Sequence, residues 1–168
     1  LARPGFAGIL SLTLPEALHL AAAGVTDDVV VGYPSVDRGA LRALCGGADR
    51  AHGGRVAVMV DDVAQLDLLA ACGAGEAAPV RVVLELDAAL PVAGGRVRLG
   101  VRRSPVHTPA QLAALAAEVV RRPGLELHGV MAYEAQVAGV GDTPPGRPLR
   151  GLAVRAMQRR SRAEIAER

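Results

Sequence analysis

Five short apolar runs recur along the chain: Phe6 to Leu12, Asp28 to Gly32, Arg55 to Val60, Val80 to Leu86 and Leu125 to Ala132. Each is aliphatic or β-branched with little polar alternation, the pattern of a strand buried on both faces. Helical patterns fill the intervals. Thr13-Leu14-Pro15-Glu16 combines a capping hydroxyl with proline in the first turn, and predicts a helix through Ala17–Ala23 to Gly24. Asp37 predicts the start of a second over Arg38–Leu44, stopped by Gly46-Gly47, and Asp61-Asp62 that of a third over Val63–Ala71, stopped by Gly73. Thr108-Pro109 opens a fourth over Ala110–Arg122, ended by Pro123-Gly124, and a last helix is expected from Pro148 to Arg168.

Strict alternation of strand and helix means parallel strands joined by crossover helices, so the class is α/β. No Gly-x-Gly-x-x-Gly follows a strand, which argues against a dinucleotide-binding open sheet. Polar residues instead collect just past the strand ends, at Ser11, Tyr33, Asp61, Asp87 and Tyr133, where parallel barrels place their chemistry. The expected architecture is therefore a parallel (β/α)8 TIM-type barrel. A complete barrel takes ~250 residues, or about 31 per strand–helix unit. The 168 residues here are expected to be the central part of one such domain, with about five of the eight strands. Leu1-Ala2-Arg3-Pro4-Gly5 reads as a helix end running into a strand, as in a chain that begins in mid-domain.

Composition changes this picture at one point. All 19 basic residues are arginine, and lysine is absent. The net charge of +2 is too small to imply nucleic acid. No apolar stretch approaches the ~20 residues that span a bilayer, so no membrane partner is expected. Cys45 and Cys72 form no Cys-x-x-Cys pair and no secretory leader precedes them. A disulfide framework or zinc site has little support, and a cytoplasmic location is expected.

Several residues carry candidate chemistry. Arg98, in Arg96-Val97-Arg98-Leu99-Gly100-Val101, can lie at a barrel mouth and bind an anionic oxygen; the alternative is a solvated loop arginine. Tyr133 ends the fifth run, followed by Glu134-Ala135-Gln136; it either meets a cofactor ring or sits at a core edge with its hydroxyl wet. Asp61-Asp62 reads as a helix cap, and Glu85 with Asp87, lacking histidine partners, makes a weak metal case. His19, His52, His107 and His128 show no ligand spacing and read as structural or exposed. The arginines from Arg147 to Arg168 have no aromatic platform for nucleic acid and read as a solvated helix.

Taken together, Leu14-Pro15-Glu16-Ala17 with Ala23-Gly24, Asp28 to Pro34, Glu85-Leu86-Asp87, Arg98-Leu99-Gly100-Val101 and Gly129 to Tyr133 resemble the barrel domain of the alanine racemase-like family. That family depends on pyridoxal 5'-phosphate (PLP) and includes D-threonine aldolases, D-serine dehydratases and amino-acid deaminases. Tyr133-Glu134-Ala135-Gln136 looks closest to the deaminase and aldolase branch. The resemblance implies that Arg98 lies near the cofactor's ring oxygen, that Tyr133 approaches the ring and that Gln136 also belongs to the cofactor site. It places the Schiff-base lysine on a strand before this chain, and the phosphate cradle on later strands. Ala89 stands where many relatives have glycine, and Pro91–Gly95 looks like a longer loop.

The implied function is a PLP-dependent lyase or isomerase acting on a small amino acid, of the D-amino-acid deaminase, dehydratase or aldolase type. The resemblance also allows a homodimer in the full-length protein and adds a C-terminal β domain to the enzymes. This chain alone, without lysine, is expected to be inactive, since arginine offers no free amine nucleophile. The alternatives are a non-catalytic PLP-binding protein of the cofactor-homeostasis type and a decayed remnant.

Overall fold

The computed structural model describes residues 7–50, 55–141 and 148–168. The elements in chain order are β1 (Ile9–Ser11), α1 (Leu14–Ala22), β2 (Asp28–Pro34), α2 (Arg38–Cys45), a 3₁₀ turn (Ala48–Arg50), β3 (Arg55–Val60), α3 (Val63–Ala71) and β4 (Val80–Leu86). There follow β5 (Leu90–Val92), β6 (Val97–Leu99), α4 (Pro109–Arg121), β7 (Leu125–Ala132), α5 (Ala135–Ala138) and α6 (Pro148–Glu167). The chain divides into two compact units, one of residues 1–85 with 112–131 and the other of residues 86–111 with 132–168.

The first unit is built on a five-stranded sheet in the order β1-β2-β3-β4-β7. The first three pairings, β1 with β2, β2 with β3 and β3 with β4, are parallel. This is the α/β, parallel-sheet architecture expected from the alternation of runs. Burial on both faces holds for β3 and β4, whereas β7, expected to be buried likewise, has no buried residue and leaves Leu127 and Val130 exposed, as Leu10 of β1 is. On one face Val58 and Val60 of β3 pair with Val82 and Leu84 of β4, all at most 2 % exposed. On the other, Ala57, Met59 and Val83 form a buried cluster joined by Val30 and Met131.

The helix starts follow the sequence signals. Thr13 Oγ1 accepts from Glu16 N, Asp37 accepts from Gly39 N and Ala40 N, and Asp62 forms a capping box with Gln65. Each such cap contributes about 1 kcal/mol. Of the Asp61-Asp62 pair, Asp62 is the cap, while the Asp61 carboxylate accepts from Gln65 Nε2 at 2.8 Å. Sequence signals missed the 3₁₀ turn, where buried Asp49 accepts from Val56 N at 3.0 Å and so ties the turn to β3. Past α4, Gly124 has φ +82°, and a Cβ there would collide with the backbone of Gly75.

In the second unit, β5 and β6 form an antiparallel hairpin with Leu90 opposite Leu99, Pro91 opposite Arg98 and Val92 opposite Val97. The sequence suggested a loop here. The strands are only three residues long, too short for a readable alternation, and the turn takes positive φ at Ala93, Gly94 and Gly95. The four-residue α5 was equally illegible. It is held by α6, whose Gln158 Nε2 donates to Val137 O and Val140 O at 3.1 and 2.9 Å. The expected helix end at Leu1–Gly5, together with His52, lies outside the described residues. No described helix is long and apolar enough to cross a membrane.

Candidate functional site

Among the clefts formed by the described residues, two are on the first unit. One, of about 470 Å³, is lined by Gly8, Ile9, Asp28, Val83 and the middle of β7. It touches the amino-terminal ends of β1 and β2, the end of a parallel barrel that serves stability and not chemistry. The other, of about 370 Å³, lies after β1 and β2 and is lined by Tyr33, Ser35, Thr13 and Asp37 among others, the last two occupied as helix caps and Ser35 Oγ accepting from Asp37 N. Among the described residues no group of three or more His, Cys, Asp or Glu could hold a metal ion.

Arg98, Tyr133 and Gln136, the residues expected at the cofactor, all lie in the second unit, on segments that follow β4 and β7. Asp87, the residue after β4, is 1 % exposed. Its Oδ1 accepts from Ala89 N at 2.8 Å, its backbone N donates to Val106 O at 2.7 Å, and its Oδ2 has no hydrogen-bond partner. The hairpin then carries the chain out and back, and β6 presents Arg98 half-buried. One guanidinium nitrogen, Nη2, lies 2.7 Å from Nε2 of His107. Arginine only donates, so Nε2 must accept, and the imidazole in this contact is neutral with its proton on Nδ1. That Nδ1 is buried and has no hydrogen-bond partner among the described residues.

Arg98 forms no ion pair with a carboxylate among the described residues. Its charge is therefore uncompensated and its remaining N–H donors are unspent, which suits it to an anionic oxygen. Two residues on, Gly100 adopts φ +119°, and a Cβ there would collide with Oε1 of Gln136. Glycine in Arg98-Leu99-Gly100 thus has two physical reasons: a left-handed backbone and close approach of a buried amide.

Gln136 is 3 % exposed. Its Nε2 donates to Ala88 O at 2.6 Å and to Ser161 Oγ at 2.7 Å, so it braces the segment after β4 against α6. Its Oε1 has no hydrogen-bond partner. Tyr133, just past β7, is 42 % exposed, and the guanidinium carbon of Arg103 stands 5.7 Å from its ring centroid, a cation–π distance. No hydrogen bond joins Arg98, Tyr133 and Gln136 to one another; the link from Arg98 to Gln136 runs through the packing at Gly100.

The contacts of His107 and Arg168 were not visible in the sequence. His107 read as structural or exposed because nothing in a separation of nine residues announces contact with Arg98. Arg168 Nη1 donates to Asp87 O at 2.8 Å and to His107 O at 3.0 Å, and its Nη2 pairs with Glu164 at 2.6 Å. No pattern could have revealed contacts made to backbone carbonyls more than sixty residues away.

The fold is that of an α/β protein with a parallel sheet, and the Arg98 cluster is a candidate site on segments that follow its strands. Comparison with known proteins gives the family: the model of the alanine racemase N-terminal domain matches residues 1–160, and the chain belongs to that family. Among solved structures, D-threonine aldolase from Filomicrobium marinum is similar, with 25 % identity and a TM-score of 0.60. The match covers 96 % of this chain and 40 % of the aldolase. No curated protein matches the chain.

Proposed function

We propose that this chain is the central part of the barrel domain of a PLP-dependent enzyme acting on amino acids, of the D-amino-acid deaminase, dehydratase or aldolase type. Family membership and the aldolase likeness support the class. The observation that carries the site is Arg98, half-buried and held by a neutral imidazole with its charge uncompensated.

The residues fit the cofactor in part. Arg98 would hold the ring oxygen, Tyr133 would pack on the ring with Arg103 behind it, and Gln136 would set the wall beside Gly100. Covalent attachment does not fit, because a chain without lysine has no side-chain amine to offer. On this reading the amine comes from residues outside these 168. The bound cofactor supplies an electron sink for negative charge at the amino acid's α-carbon. The chain's own part is to bind, orient and maintain a positive charge beside the ring. It does so with a guanidinium that stays protonated at every working pH, so its contact cannot be lost by its own titration.

The test is binding of 4'-deoxypyridoxine 5'-phosphate, which lacks the aldehyde and so needs no lysine, to the protein expressed from its full reading frame. Wild-type protein is expected to bind it, and Arg98→Ala to weaken binding roughly 10- to 100-fold, the effect of one charged hydrogen bond. Equal affinity in the two proteins would remove Arg98 from the site.

A further inference from the structure

We infer that His107 is a positioning residue for Arg98, presenting the guanidinium to an anionic oxygen only while the imidazole is neutral. The inference rests on the reading of Arg98 given above. Its physical basis is the 2.7 Å contact between Arg98 Nη2 and His107 Nε2. Because a guanidinium has no lone pair to offer and does not deprotonate, this contact exists only with a bare Nε2. A proton on Nε2 would set N–H against N–H and place two positive charges side by side, and the contact would be lost.

The choice of partner matters. A carboxylate would fix Arg98 equally well, but it would cancel the positive charge and compete with an anionic ligand for the same donors. A neutral imidazole fixes one nitrogen and leaves the net charge intact. The hairpin alone does not supply this restraint: opposite Arg98 stands Pro91, whose nitrogen has no proton for the ladder.

His107 is itself held in place. Its backbone N donates to Gln111 Oε1 at 3.1 Å, and its carbonyl accepts from Arg168 Nη1 at 3.0 Å. It contacts charged residues at two points: Arg98 from β6 at Nε2 and, at its carbonyl, Arg168 of the chain end, which also donates to Asp87 O and pairs with Glu164. The imidazole acts on Arg98 through the single Nε2 contact.

Two measurements test this in the full-reading-frame protein. Nitrogen NMR of ¹⁵N-histidine-labelled protein at pH 8 should show His107 protonated on Nδ1 and bare on Nε2, and Arg98→Ala should shift it toward the Nε2–H form. An Nε2–H imidazole in wild-type protein would overturn the proposal. The second measurement is affinity for 4'-deoxypyridoxine 5'-phosphate from pH 8 to pH 5. Wild-type affinity should fall about tenfold more than that of His107→Gln, whose amide oxygen accepts from Arg98 but takes no proton; titration of the probe is common to both. His107→Leu should bind about tenfold more weakly at pH 8 with an unchanged melting temperature. Identical pH profiles for wild type and His107→Gln, with full affinity in His107→Leu, would also overturn it. Absence of binding at every pH with the tautomer as expected would count against the cofactor reading, and would remove the function assigned to His107 with it.

Discussion

Replacing Gln136 with methionine separates bracing from cofactor contact. The side chain is 3 % exposed and its two N–H donors go to Ala88 O and Ser161 Oγ, on residues 2 % and 0 % exposed. Methionine keeps the length and volume but donates nothing. The Ala88 carbonyl, left buried without this donor, costs about 1–3 kcal/mol. Ser161 lies within α6, where its hydroxyl can turn to a carbonyl of its own helix, so its loss is nearer ~1 kcal/mol. Removing Oε1, an acceptor already without a partner, returns about 1 kcal/mol. The net expectation is a destabilisation of about 2 kcal/mol. With a urea m-value of about 2 kcal/mol/M for a chain of this size, the midpoint should fall by about 1 M at unchanged slope. Urea unfolding followed by far-ultraviolet circular dichroism reads this directly. A shift below about 0.3 M, accompanied by loss of affinity for the cofactor analogue, would refute the bracing argument and make Gln136 a ligand contact instead.

Other outcomes follow from separate features. Gly124→Ala must place a side chain at φ +82° and against Gly75, so it should lower stability by at least ~2 kcal/mol, read as a lowered melting temperature. Cys45 and Cys72 are free and buried, and burial pushes the Cys45 thiol up, with Cys72 adding to it. A thiol reagent at pH 8 should therefore find no fast-reacting cysteine in the native chain and two after unfolding. The Ser11 hydroxyl, followed by the backbone N–H of Leu12, holds the Glu16 carboxyl below the usual carboxylate range. Its contribution to stability is present above the ordinary carboxylate pKa and is lost as pH falls through the lowered value. Ser11→Ala should move the Glu16 titration upward in an NMR pH series. Borohydride treatment with pyridoxal phosphate should leave every side chain of the chain unmodified, since no lysine is present; a reduced adduct on a side chain would contradict this.

Much of the fold was legible because its signals are local. The bounds of β3, β4 and β7 coincide with apolar runs, buried on both faces in β3 and β4 but not in β7, and Thr13, Asp37 and Asp62 announce their helices through a single side-chain oxygen. The hairpin was hidden by its three-residue strands and by Pro91, and α5 by its single turn. In the candidate site, Arg98 and Tyr133 stood out as polar residues near strand ends, whereas the side chains they contact did not. His107 meets Arg98 only because the chain folds back between them, and Arg103 stands over Tyr133 although about thirty residues separate them. Gln136 looked like a site residue by its place in the motif, while its bracing of Ala88 and Ser161 depends on α6 packing that no periodicity reveals.

The central claim is that this chain carries the ring-side part of a PLP-dependent amino-acid site. Its most direct test is turnover by the full-reading-frame protein of D-threonine, D-serine and D-alanine, with and without added pyridoxal phosphate, in wild type and Arg98→Ala. The account predicts that at least one D-amino acid is converted to an aldehyde, a keto acid or its mirror-image isomer, that conversion depends on the cofactor, and that Arg98→Ala lowers kcat/KM at least ~10-fold. Cofactor-independent conversion, or an Arg98→Ala protein as active as wild type, would contradict it.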